Sequence, residues 1–212
     1  MKEENSPPIV TEISDSTAIV RFNRPAQRNP LSLETVQELR RTTSSLFPRG
    51  NIQTVVFTGT DDVFASGANI RELAQLNAGA ALEFSRFGQE LFQTIADARQ
   101  VTVAAINGYC MGGALDLALS CDIRVASKAA VFSHPGARLG IITGGGGTQR
   151  LPRIIGRARA HDFFSTARRY TSLEALEMAL VSHIGDPVIA YSLKIADRKK
   201  EGGRNSATFS PT

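Results

Sequence analysis

The stretch from Val101 to Asp116 constrains this chain more than any other. An apolar run, Val101 to Ile106, enters Asn107-Gly108-Tyr109-Cys110-Met111-Gly112-Gly113, and a further apolar run follows at Leu117 to Leu119. The order reads as a buried strand, a glycine turn and the start of a helix. Glycine lets backbone N–H groups approach a ligand closely, and a helix N-terminus favours negative charge. One such turn says little. Upstream, however, Phe64-Ala65-Ser66-Gly67-Ala68-Asn69-Ile70-Arg71 forms a second small-residue loop after the apolar strand Val55 to Phe57. Two loops that each lend one N–H to the same oxygen make an oxyanion hole.

The rest of the chain fits the same plan. Ile9 to Ser14 and Thr17 to Phe22 alternate around Asp15-Ser16, which predicts a hairpin. Ser32 is a candidate N-cap for a helix reaching Leu46, and Ala80 to Ala98 predicts a long amphipathic helix with Leu82, Phe84, Phe87, Leu91, Phe92 and Ile95 on one side. Further helices are expected at Gly113 to Ser120, Gln149 to Ile155, Ala158 to Ala167 and Ser172 to Ala179, with a strand at Ile123 to Ala126. Alternation of strands and helices predicts an α/β domain with parallel pairing.

Composition narrows the class. The 212 residues suit one domain with a sizeable core, and no apolar run is long enough to span a bilayer. Met1 to Pro8 is polar and charged, unlike a signal peptide. Cys110 and Cys121 sit among apolar residues and are expected as buried free thiols, which suits a reducing, cytoplasmic setting. The formal charge of +4 is concentrated in the tail, where Lys194, Arg198, Lys199, Lys200 and Arg204 outnumber Asp197 and Glu201. A solvated charge run is expected there, and no nucleic-acid or membrane partner.

Five segments, in order, carry a family resemblance: F-N-R-P-A-Q-R-N-P-L-S from Phe22, F-A-S-G-A-N-I-R-E-L from Phe64, N-G-Y-C-M-G-G-A-L-D-L-A from Asn107, C-D-I-R-V-A-S from Cys121, and L-G-I-I-T-G-G-G-G-T-Q-R-L-P-R from Leu139. Together they resemble the enoyl-CoA hydratase/isomerase (crotonase) family from about Ile9 to about Ile184. The resemblance implies a superhelix of ββα units over residues 1–190, an acyl-CoA substrate with no separate cofactor or metal, and a homotrimer or hexamer. It also implies several C-terminal helices. Here only Val188 to Ala196 keeps a helical pattern, and residues 191–212 are expected as a helix remnant followed by a disordered basic tail.

By the same resemblance, the N–H groups of Ala68 and Gly113 would hold the thioester oxygen. Arg24, Ala26 and Arg28 fall in the loop that meets the nucleotide of coenzyme A, although exposed arginines there are also read simply as solvated. Asn69, Ile70 and Arg71 continue that site, with Asn69 replacing the aspartate usual in relatives. The hydratases of the family use two glutamates. The first falls at Asp116, about 1.5 Å shorter in reach, and the second at Gly136, which has no side chain. Restoring Gly136→Glu, with or without Asp116→Glu, is expected to raise hydration if the backbone is otherwise competent.

Asp116 reads equally as an acid/base group or as a helix N-terminal residue bonding orphan N–H groups. His134 lies two residues before Gly136 and is a candidate proton carrier, but a strand-end histidine bonded to backbone is the plainer expectation. The glycine run 144–147 lacks the lysine of a nucleotide-triphosphate loop and is expected to shape the pocket. The function implied is enolate chemistry on an acyl-CoA, of isomerase or other one-proton type rather than two-glutamate hydration. The rival is a catalytically depleted acyl-CoA-binding or scaffold protein.

Overall fold

The computed structural model describes residues 6–206, so residues 1–5 of the polar Met1 to Pro8 segment and the last six residues of the expected tail lie outside it. The chain begins with β1 (Ile9–Ser14) and β2 (Thr17–Phe22), then β3 (Pro30–Leu31) and α1 (Leu33–Leu46). Next come β4 (Thr54–Thr58), β5 (Val63–Ala65), β6 (Gly67–Ala68), α2 (Ile70–Leu73) and α3 (Ala78–Ala96). A second round gives β7 (Val101–Ile106), β8 (Tyr109–Met111) and α4 (Gly113–Ser120). A third gives β9 (Ile123–Ala126), β10 (Val131–Ser133), α5 (Gly147–Ile155) and α6 (Arg157–Thr166). The chain ends on β11 (Tyr170–Thr171), α7 (Ser172–Glu177), β12 (His183–Ile184) and α8 (Val188–Ser206).

The sheets show how these rounds stack. The first strands β4, β7 and β9 lie side by side in a six-stranded sheet of order β1-β2-β4-β7-β9-β12. The second strands β5, β8 and β10 lie side by side in a four-stranded sheet of order β11-β10-β8-β5. All these neighbours pair in parallel, and only β1 with β2 and β10 with β11 run antiparallel. Each ββα unit therefore climbs one strand along both sheets, which is the expected superhelix.

The central strands are buried almost throughout because both faces are covered. Val55, Phe57, Ala104 and Ile106 enter the main core, whereas Val56, Val103, Ala105 and Val125 enter a second cluster under Val188 and Ala196 of α8. Ser32 caps α1 as expected, its side chain accepting from the Thr35 N–H. Two expectations are corrected. The helix α8 runs on to Ser206, past Ala196, where the sequence pattern had suggested a stop before a disordered tail. Lys, Arg and Glu favour helix even where no apolar period marks one. Along α3, Leu91, Phe92 and Ile95 are buried, but Leu82 stays exposed, because the core lies only beneath the C-terminal half.

Candidate active site

The two glycine loops meet at the N-terminus of α4. Gly67 has a left-handed φ of +86°, and a Cβ placed on it would stand 2.6 Å from the Met111 carbonyl and 3.1 Å from the Gly113 nitrogen. Only glycine permits that approach. The chain turns again at Gly112, φ 55°, whose N–H donates to the Ser133 carbonyl at 3.0 Å. Gly113 then opens α4, so its N–H belongs to the first turn and has no intrahelical acceptor. Ala68 lies directly opposite, its nitrogen 3.8 Å from where a Gly113 Cβ would be.

Asp116 follows Gly113 by three residues and is completely buried. It is not the cap of α4: that position is Gly112, and no side chain bonds the first N–H groups there. Its carboxylate instead accepts a short hydrogen bond from the Thr143 hydroxyl on Oδ2, and its Oδ1 lies 3.4 Å from His134 Nε2. The glycine run wraps it: a Cβ on Gly145 would stand 2.8 Å from Oδ2, and one on Gly147 would collide with Oδ1. Nearby, the Cys110 thiol is held well above its ordinary range, by burial first and by the Asp116 charge second. Cys110 and Cys121 are both buried and free, and burial pushes the Cys121 thiol up to about 12.

His134 overturns its plainer expectation. The residue follows β10, and strand alternation sends Ser133 and Pro135 to an outer cleft while the imidazole turns inward. There it is buried, with its ring edge-on to Phe164 at 5.1 Å between centroids, and it faces Asp116 rather than backbone. Gly136 is closed to side chains. The Ile141 N–H donates to the Gly136 carbonyl at 3.0 Å, and this tight turn would leave a Gly136 Cβ 2.5 Å from the Ile141 carbonyl oxygen.

The expected nucleotide-side residues divide. Arg24 is spent on structure: its fork grips Glu34 at 2.6 and 2.8 Å, and its Nε donates to the Ser6 carbonyl. Ala26 sits exposed on a 3-10 turn, Pro25–Gln27. Asn69 caps α2 by accepting from the Arg71 N–H, and Ile70 and Arg71 are exposed beside it. Arg28 stacks over the Tyr109 ring at 4.8 Å, and Arg169 approaches the same ring at 5.8 Å. With Arg138 they line a cleft of about 440 Å³ whose wall includes Ser66 and Met111, each two residues ahead of the paired loop donors. The lining contains no carboxylate. Sequence reading missed Arg138 and Arg169, since nothing in their spacing ties them to Arg28. A larger cleft of about 740 Å³ between α3 and α5 reaches Asp116 only through Thr143 and its glycine neighbours.

Among the described residues no group of three His, Cys, Asp or Glu is arranged to hold a metal, and no helix is long and apolar enough to cross a membrane. Comparison with known proteins agrees with this architecture. The family model described as enoyl-CoA hydratase/isomerase matches residues 12–207. The chain is similar to YngF of Bacillus subtilis, 40% identical over 180 residues that cover 84% of this chain and 69% of that protein. It is 33% identical over 205 residues to the crotonyl-CoA hydratase of Syntrophomonas wolfei, covering 95% and 79% respectively. Among solved structures, DspI of Pseudomonas aeruginosa superposes with a TM-score of 0.86 at 31% identity, covering 92% of this chain and 81% of that one. The ββα superhelix, the joined glycine loops and these matches lead to one assignment: the chain belongs to the enoyl-CoA hydratase/isomerase family, with the crotonase fold.

Proposed function

We propose that this protein is an enzyme that forms the enolate of an acyl-CoA thioester, with isomerase-type or other one-proton chemistry rather than two-carboxylate hydration. One observation carries the reading. The N–H groups of Ala68 and Gly113 lie together, one carboxylate follows on the same helix at Asp116, and the turn at Gly136 has no room for a second. The thioester oxygen sits between the two N–H groups. The Asp116 carboxylate takes a proton from the α-carbon, the C–H electron pair becomes a carbon–carbon π bond, and the carbonyl π pair moves onto the oxygen. Returning the proton at the γ-carbon shifts the double bond and restores the carboxylate. Each oxyanion donor is worth about 3–4 kcal/mol in the transition state, by analogy with a protease donor. Thr143 and the glycine run cover Asp116, so this reading requires them to move aside for substrate.

The relative from Syntrophomonas wolfei is named for hydration of crotonyl-CoA, a reaction that needs both an acid and a base at the double bond. The cleft of Arg28, Arg138 and Arg169 suits the phosphates of coenzyme A; Ala26, Asn69, Ile70 and Arg71 lie outside that lining and are assigned to the nucleotide by the family resemblance alone. The thioester is the substrate, and no further cofactor is needed for this chemistry. Two free buried thiols suit a cytoplasmic setting.

Purified protein offered 3-enoyl-CoA and crotonyl-CoA tests the proposal. Double-bond migration is expected to exceed hydration, and Asp116→Asn to slow migration about 100-fold or more. Faster hydration than migration would overturn it. Calorimetry is expected to show tighter binding of a thioester than of free coenzyme A. Thioester binding without turnover would select the rival, a catalytically depleted acyl-CoA-binding protein.

A further inference from the structure

We propose that His134 is a positioning residue for Asp116, donating from Nε2–H to Oδ1 and holding the carboxylate toward the substrate. The inference rests on the enolate reading above but is carried by separate observations. Asp116 Oδ1 and His134 Nε2 are both buried, and neither has another hydrogen-bond partner. They lie 3.4 Å apart, an ion-pair distance that falls short of hydrogen-bond geometry. Two buried polar atoms with no other partner satisfy each other if the side chains close by a few tenths of an ångström. Hydrogen bonds of this kind are often long without substrate and tighten when it binds.

The surroundings leave the pair nothing else to do. Thr143 occupies the other carboxylate oxygen, and the glycine run fills the space around it. The Phe164 ring backs the imidazole with apolar surface, its centroid 5.1 Å away. The remaining ring nitrogen, Nδ1, lies 3.8 Å from the point where a Gly136 Cβ would stand. The imidazole is thus the polar group adjoining the position at which the family's second carboxylate is absent. It steadies the first carboxylate instead of supplying a second. The bare Gly136 and the inward histidine are two parts of one arrangement.

The test compares wild type, His134→Leu and His134→Gln in deuterium exchange at the α-carbon of butyryl-CoA, with thermal melting as the check on folding. Glutamine places its Nε2 near the histidine Nε2 and keeps the donor. Leucine is expected to lower kcat for exchange about 10- to 100-fold, the scale of a misplaced reacting group, with KM within about twofold. Glutamine is expected to restore most of the loss. Unchanged kcat in His134→Leu, or His134→Gln folded but as slow as leucine, would overturn the proposal.

A second arm does not depend on activity. In two-bond 1H–15N spectra the His134 Nε2 nitrogen resonance is expected to move in Asp116→Asn and hold its place in Arg28→Ala. No movement in Asp116→Asn would also overturn the proposal. Absence of exchange in wild type would instead count against the enolate reading, and the spectra would still judge the contact.

Discussion

A carboxylate wrapped by glycines is sensitive to single atoms. The turn that joins the Gly136 carbonyl to the Ile141 N–H leaves a Cβ 2.5 Å from backbone oxygen, so a glutamate there must move main chain. The expectation that Gly136→Glu raises hydration required a competent backbone, and this turn does not supply one. That substitution is expected to cost about 1–3 kcal/mol through overpacking and to give no gain in crotonyl-CoA hydration. Thermal melting and the hydration assay check both halves, and a stable, faster Gly136→Glu protein would show that the turn yields. At the outer cleft, three arginines share a lining that has no carboxylate. Arginine forks match phosphate oxygens. The double variant Arg138→Ala with Arg169→Ala is expected to raise KM for a CoA thioester several-fold with little change in kcat, as measured by steady-state kinetics. Arg24→Ala is expected to act on stability instead, because that side chain holds Glu34.

Elements differ in how openly the sequence shows them. The hairpin, α1, β7, α4 and β9 were legible because their apolar spacing runs long enough to show a period, and α1 also carries its cap. The four-stranded sheet was not legible. Its strands have two or three residues each, too few for alternation, and form because neighbouring ββα units bring them into register. Of the site, the paired loops and Asp116 could be read from motifs. The orientation of His134 could not, because it depends on which way a strand end turns against α4. The inward side of α6 was not legible either: Phe163 is fully buried and stacks on Tyr170 at 4.2 Å. Phe163→Ala is expected to cost about 3–5 kcal/mol, readable by denaturant unfolding.

The start of α7 carries a pH signature at the same scale. Thr171 and Glu174 form a capping box, and Arg168 bonds Glu174 at 2.7 Å. That hydrogen bond, with those from Thr171, lowers the Glu174 carboxyl from its ordinary 4.5 to about 2. A depressed folded-state value means the contribution is present above about 4.5 and is lost as pH falls toward 2. The group is exposed, so screening keeps the effect small. Melting temperature from pH 6 to pH 2 is expected to fall less steeply in Glu174→Gln than in wild type. Identical slopes would show that the box contributes nothing.

At the scale of the whole molecule, part of the exposed apolar surface gathers on one segment, while Ile13, Leu33, Ile70, Leu173 and Leu176 are exposed elsewhere. Leu139, Ile141 and Ile142 are exposed on the segment beside Asp116. That segment is tied to α3 where Ser85 and Gln89 donate to the Gly144 carbonyl, and Leu82, one turn earlier on the same helix, is exposed as well. Isolated exposed leucines need no explanation, whereas a joined patch marks a surface that another molecule covers. The patch lies on the segment that carries Thr143, the hydrogen-bond partner of Asp116, so whatever covers it packs against that segment. A second copy of this chain is the expected cover, in a trimer or a pair of trimers. Light scattering at micromolar concentration is expected to give a mass of three or six chains, and Leu82→Glu with Ile142→Glu to lower it. A wild-type monomer with full activity would mean that the patch is an open wall of the acyl site, and the oligomer expectation would fall.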